Sequence, residues 1–115
     1  MRRGDIHMID LEPVRGSEAN KTRPAVLVSH NAANDSVERH GRGVVTVVPL
    51  TSNTARVLSF QVFLSAEEAG LPKDSKVQCE QIRAVTVERV RQRIGTVPRR
   101  RMAEIDAALR RHLAL

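Results

Sequence analysis

Two polar clusters in this sequence sit where strand-forming segments begin or end, and both carry side chains able to handle a phosphate. In GSEANKTRPAVLVSH (16–30) a glycine-led loop with Ser17, Glu18, Asn20, Lys21 and Thr22 runs through Arg23-Pro24 into an apolar block. An acid, hydroxyl and amide groups and a guanidinium thus stand beside a rigid strand, as they do where a movable loop serves a fixed scaffold. Pro24 restricts Arg23 to an extended backbone, which limits where the guanidinium can point. The same residues also fit an ordinary solvated loop in which Glu18 pairs weakly with Lys21 or Arg23. In PLTSNT (49–54), Thr51, Ser52 and Asn53 follow a second apolar block. Hydroxyls at a strand end can hold phosphate oxygens, or they can bond their own backbone as turn chemistry.

The third cluster is CEQIR (79–83). Cys79 reads as a small buried hydrophobe and not as a nucleophile, because no histidine is near it in sequence and Val77 shares its strand face. Strict alternation would put Gln81 and Arg83 on that face too, so a bulge or a strand end is expected here. Between Arg83 and Arg101 the chain holds seven arginines and one acid, Glu88. Arg99, Arg100 and Arg101 open a helix, where positive charge opposes the dipole at a cost of about 0.3 to 1 kcal/mol each. They form either a binding surface or a solvated face. Metal chemistry has no visible scaffold: there is no CxxC or HExxH, and His7, His30, His40 and His112 are scattered. Asp5 and Asp10, five apart on one strand, face opposite ways.

The elements that must position these groups are short strands followed by one helix. GDIHMIDL (4–11) reads as a first strand, ended by Pro13 and Gly16. RPAVLVSH (23–30) and GVVTVVPL (43–50) are almost continuously apolar, which predicts central strands covered on both faces. NAANDSVERHGRG (31–43) reads as an exposed loop. FQVFLS (60–65) is a further strand, and SKVQCEQIRAV (75–85) supplies one or two more. Pro98, with Met102, Ile105, Leu109 and Leu113 at spacings of three and four, predicts a C-terminal amphipathic helix of about 16 residues, roughly 24 Å long. The expected fold is mainly β (α+β), a small antiparallel sheet or barrel with the helix packed on it. One domain over 1–115 is expected.

Composition narrows the partners. A hydrophobic content of 41% excludes wholesale disorder, while only two aromatic residues, Phe60 and Phe63, demand an aliphatic core and disfavour base stacking. The 19 basic residues against 13 acidic give a net charge of +6, which favours a polyanion, either nucleic acid or an acidic protein segment. Cys79 has no second cysteine to bridge. Nothing at the N-terminus resembles a signal peptide, and no apolar run approaches the ~20 residues of a membrane-spanning helix. A cytoplasmic protein is expected.

RRGDIHMIDLEPVRGSEANKTRPAVLVSH, VVPLTSN and CEQIRAV, in that order and spacing, resemble the MazF/PemK (Kid) family of bacterial toxin endoribonucleases over nearly the whole chain. The resemblance implies an SH3-like small β-barrel with a C-terminal helix, working as a homodimer. It implies cleavage of single-stranded RNA (mRNA, tRNA or rRNA) without metal or other cofactor, and inhibition by a MazE-like antitoxin with an acidic, disordered tail. The family's essential arginine falls on Arg23, its active-site threonine on Thr51 and its loop acid on Glu18. RNA contacts are expected from Ser17, Asn20, Lys21, Ser52, Asn53, Gln81 and Arg83, with Gln81 at a groove-lining position. His7 stands where many members carry Trp or Tyr, which removes an aromatic stack near the RNA path. No histidine falls on an active-site position. Arg23 is therefore expected to clamp the developing phosphoryl charge, Thr51 to donate to a non-bridging oxygen, and Glu18 to be the candidate base. A CcdB-type gyrase poison would share the fold but does not need Arg23 and Thr51, and a basic nucleic-acid-binding barrel without catalysis is the other alternative.

Overall fold

The valine-rich segments form the middle of one antiparallel sheet. In the computed structural model, which describes residues 1–13 and 15–115, the strands are β1 (Asp5–Asp10), β2 (Thr22–Leu27), β3 (Val44–Thr51), β4 (Gln61–Leu64), β5 (Ser75–Gln78), β6 (Arg83–Thr86) and β7 (Val90–Thr96). They lie in the order β4-β5-β3-β2-β1-β7, with β6 also paired to β3. The described residues also form three α-helices, α1 (Asn31–His40), α2 (Ala66–Ala69) and α3 (Arg99–Leu113), and two short 3-10 turns, Cys79–Gln81 and Val87–Arg89.

Strand β3 is the hub. One edge holds β2 through Ala25↔Pro49, Val26↔Val48 and Leu27↔Val47. The other edge changes partner midway, from β6 (Val44↔Thr86 to Val47↔Arg83) to β5 (Leu50↔Val77, Thr51↔Lys76). Successive side chains alternate across the sheet, so each face needs its own cover. Ile6, Val26, Val48, Leu50 and Val77 pack with Ile105, Ala108 and Leu109 of α3. On the other side Ile9, Ala25, Leu27, Val45, Val47 and Val85 cluster, with Val37 of α1 against them. This two-sided burial is why β2 and β3 read as continuous apolar runs. Arg3 ties α3 to the sheet: its Nη2 donates to Asp106 Oδ1 at 2.6 Å and its Nε to the Val28 carbonyl at 2.8 Å.

The mainly β architecture with a C-terminal helix is the one expected, but four local readings change. Residues 31–40 are a helix and not a loop. The His30 ring accepts the Ala32 N–H at 3.0 Å, and Gly41, at φ 68°, closes the other end on the Val37 carbonyl. Asn34 is fully buried, accepting from Ser29 Oγ at 2.5 Å and donating to the Ser29 carbonyl at 2.9 Å. Only Val37 brings this helix to the apolar core, so the segment shows no apolar period. Strand β7 was hidden in the arginine-rich stretch because Arg91, Gln92 and Arg93 face solvent. The short helix α2 has a reciprocal cap, Ser65 with Glu68, a signature the S-x-x-E spelling does carry. Leu113, expected on the buried stripe of α3, is 46% exposed, and the stripe instead uses Ala108 beside Ile105 and Leu109.

The arginines that open α3 are partly explained by these neighbours. Arg101 donates from Nε to Glu68 Oε1 at 3.1 Å and from Nη1 to Glu104 Oε2 at 3.0 Å, so two carboxylates offset its conflict with the helix dipole. The Ser65 N–H and then Arg101 hold the Glu68 carboxyl below its usual range. Among the described residues no helix is long and apolar enough to cross a membrane.

Two substitutions test this packing. A Cβ added at Gly95 would lie 2.3 Å from the Ala69 carbonyl oxygen and 3.3 Å from Leu71 Cδ2, so Gly95→Ala should destabilise by about 1–3 kcal/mol in urea unfolding. An unchanged midpoint would show that β7 and α2 are not this close. The lowered Glu68 pKa adds stability that is present above the usual carboxylate range and lost as pH falls through the folded value. Thermal melts of Glu68→Gln should therefore depend less on pH than those of wild type between about pH 6 and pH 3, and parallel profiles would remove Glu68 from that role.

Candidate active site

The site grows from the pairing of β2 with β3. Their register pairs end at Ala25↔Pro49. Beyond the last pair, Arg23 of β2 and Thr51 of β3 line the same cleft. Pro24 and Pro49 lack an N–H, so neither can donate to a ladder, and the strand ends open into a cleft of about 220 Å³. Its polar lining is Thr22, Arg23, Thr51, Ser52, Lys73 and Ser75, and Leu50 and Leu71 are among its apolar walls.

Arg23 is half-buried and anchored along one edge. Its Nε donates to the Asn20 carbonyl at 2.8 Å and its Nη2 to Asn20 Oδ1 at 3.4 Å. A guanidinium carries five N–H donors in a planar fork, so others remain for an anion in the cleft. Thr51 Oγ1 accepts the Asn53 N–H at 3.3 Å, which leaves the hydroxyl proton to donate elsewhere. Asn53 Oδ1 in turn accepts from Ala55 N at 3.3 Å, so this expected RNA contact also serves the turn.

The loop before Arg23 is arranged differently from the weak ion pair considered for it. Glu18 Oε1 accepts the Arg15 N–H at 2.8 Å, and Glu18 N donates back to the Arg15 carbonyl at 3.2 Å. Among the described residues Glu18 forms no ion pair with Lys21 or Arg23, because the Arg15 backbone already holds its carboxylate. Ser17 and Glu18 are exposed and do not line the cleft. Lys21 adopts φ 65° and gives its N–H to Glu12 Oε1 at 2.8 Å. Gln81 bonds the loop with both ends of its amide, accepting from Ala19 N at 3.1 Å and donating to the Ser17 carbonyl at 3.0 Å. Arg83 Nη1 donates to the Leu11 carbonyl at 3.2 Å. Of the residues the sequence nominates, Arg23, Thr51 and Ser52 share the cleft, Asn20, Gln81 and Arg83 hold neighbouring backbone or side chains, and Ser17, Glu18, Lys21 and Asn53 lie on turns. Lys73, from the connection between α2 and β5, and Ser75, which opens β5, were missed as site residues. LPKD reads only as turn chemistry, with no signal that marks its lysine.

Cys79 is fully buried, and burial, with Glu80 beside it, pushes its thiol up to about 12, so it is protonated and inert as a nucleophile. It opens a 3-10 turn, Cys79–Gln81, which is the break expected after β5. Among the described residues no three His, Cys, Asp or Glu side chains group as metal ligands do. His7 lies away from the cleft lining, with Nδ1 2.9 Å from the Arg91 carbonyl and a buried Nε2 that has no partner among the described residues. What the cleft can do is grip a phosphodiester: a planar cation matched to two oxygens, a hydroxyl donor, and an exposed lysine at the rim.

Residues 2–113 match a family described as PemK-like, MazF-like toxin of type II toxin-antitoxin system. The chain is 55% identical over its full length to endoribonuclease MazF9 of Mycobacterium tuberculosis, covering 98% of that protein. It is 30% identical to endoribonuclease MazF of Staphylococcus epidermidis over 95% of its own length and 88% of the relative's. Among solved structures, MazF of Deinococcus radiodurans superposes with a TM-score of 0.82 at 24% identity, covering 100% of this chain and 97% of that one. A mycobacterial endoribonuclease in complex with its cognate antitoxin gives 0.76 at 25% identity, covering 100% and 96%.

Proposed function

This chain belongs to the PemK-like, MazF-like toxins of type II toxin-antitoxin systems, and on that premise we propose that it cuts single-stranded RNA without a metal ion, leaving a 2′,3′-cyclic phosphate and a free 5′-hydroxyl. It is a MazF-type endoribonuclease. The observation that carries the finer reading is the shared cleft of Arg23 and Thr51 at the open ends of β2 and β3. A phosphate seated there meets the Arg23 fork through two non-bridging oxygens and the Thr51 hydroxyl through one. As the 2′-oxygen closes on phosphorus, negative charge grows on those oxygens, and fixed donors stabilise it more than they stabilise the ground state. Arg23 supplies the positive charge and keeps its proton throughout.

Proton transfer falls to Glu18. Its carboxylate stands outside the cleft lining, bonded to Arg15 N, and accepts the 2′-hydroxyl proton after the side chain leaves that bond and swings toward the cleft while the backbone stays in place. The 5′-oxygen takes a proton from solvent when its bond to phosphorus has broken far enough to leave it alkoxide-like. Lys73 and the net charge of +6 draw the RNA backbone in, so binding weakens with salt. Ser17, Asn20, Lys21, Ser52 and Asn53 meet unstacked bases or phosphates as the strand passes the cleft. The targets are mRNA, with tRNA or rRNA as further substrates, in the cytoplasm. The chain works as one toxin domain in a homodimer. Its antitoxin is a MazE-like protein whose acidic, disordered tail competes with RNA for the basic surface, a reading supported by relatives crystallised with their antitoxins.

A single-stranded oligonucleotide incubated with the protein in excess EDTA should be cut to 2′,3′-cyclic phosphate and 5′-hydroxyl ends, and Arg23→Ala should lower the rate by about 10²–10³. Loss of cleavage in EDTA would overturn the metal-free chemistry. Wild-type rates in the variant would remove Arg23 from it.

A further inference from the structure

Gln81 fastens two parts of the chain that are 62 and 64 residues apart. Its Oε1 takes the Ala19 N–H at 3.1 Å and its Nε2 gives a hydrogen to the Ser17 carbonyl at 3.0 Å, so the two bonds bracket Glu18. Such a bracket needs a donor and an acceptor on one side chain, which the planar amide provides through its nitrogen and its oxygen. The amide stands on fixed backbone, because Gln81 closes the 3-10 turn whose first residue, Cys79, is fully buried in the core beside α3.

Among the described residues the loop has few other anchors: Ala19 packs against the cluster of Ile9, Leu11 and Val85, and Lys21 N–H bonds Glu12 Oε1 at 2.8 Å. Leu11 N bonds the Lys21 carbonyl at 3.0 Å across its base, and Glu18 bonds Arg15 within its own turn. Ala19 is followed by Asn20, which carries both of the acceptors that hold Arg23. Fixing the Ala19 N–H therefore fixes the backbone from which the Arg23 guanidinium is suspended, while fixing the Ser17 carbonyl sets the turn that presents Glu18.

We propose that Gln81 is a positioning residue that locks the 17–20 segment, and through Asn20 the Arg23 guanidinium, into the geometry the cleft requires. This differs from the direct RNA contact that the family resemblance suggests, since both ends of the amide are already engaged. It rests on the reading of Arg23 and Glu18 given above.

The test uses Gln81→Ala and Gln81→Glu, the second nearly isosteric but presenting an acceptor to the Ser17 carbonyl. Limited trypsin digestion of the RNA-free protein, read at Arg15 and Lys21, should be about tenfold faster in both variants, the size expected from losing such bonds. On an RNA oligonucleotide kcat should fall by about 10 to 100-fold with KM changed far less, as for a misplaced catalytic group. Unchanged trypsin cutting together with a raised KM and wild-type kcat would make Gln81 an RNA contact and overturn the proposal. If wild type itself cuts no RNA, the nuclease chemistry fails separately, while digestion of the loop still decides whether Gln81 fastens it. Thermal melts of both variants separate local loosening, with a small shift, from global unfolding, which in both variants would overturn a purely local lock.

Discussion

The register of β2 on β3 is the constraint on which the remainder depends. Val26 opposite Val48 and Leu27 opposite Val47 bury side chains on alternate faces, against α3 on one side and toward α1 on the other. A slip by one residue would turn every one of these side chains to the wrong face. Each fully buried valine or leucine contributes about 1.5–3 kcal/mol, so the penalty for slipping is large compared with any loop contact. Past their last paired residues, the same two strands carry Arg23 and Thr51 into one cleft. Hydrophobic burial in the middle of the strands thus fixes the ends from which two polar groups project.

Loops then supply what the strands cannot. Asn20 holds Arg23 from its own side, Gln81 reaches across from the far end of the chain, and Lys73 enters from the α2–β5 connection. The hydrogen bonds made by Asn20 and Gln81 are worth about 1 kcal/mol each, so they orient groups without dictating the fold. The division has a functional sense: a phosphate site needs fixed donors, whereas an RNA strand needs a surface that can adjust as it enters.

The parts of the fold legible in the sequence are those whose burial leaves a pattern. β2 and β3 are covered on both faces and read as continuous apolar runs, and α3 shows its stripe through Met102, Ile105 and Leu109. The illegible parts bury little. α1 touches the core through Val37 and is capped by a histidine ring in place of the usual Ser, Thr, Asp or Asn. β7 is the terminal strand, with Arg91 and Arg93 outward, so its charge masks its pairing with β1. In the site, Arg23 and Thr51 could be nominated by residue type and position, but their juxtaposition is a matter of strand register. Gln81 could be nominated as important, yet its partners, the backbone of Ser17 and Ala19, carry no sequence signal at all. The same holds for Arg101, whose reason for opening a helix is Glu68, 33 residues away.

That Arg23 and Thr51 serve one phosphoryl group is tested most directly by a double-mutant cycle on a single RNA oligonucleotide, measuring kcat/KM for Arg23→Ala, Thr51→Ala and the pair. Two donors acting on the same group predict a double variant much less impaired than the product of the single losses, with a coupling of at least about 1 kcal/mol. Single effects that simply multiply would show that the two side chains act on separate events, and would contradict a common phosphate site at the ends of β2 and β3.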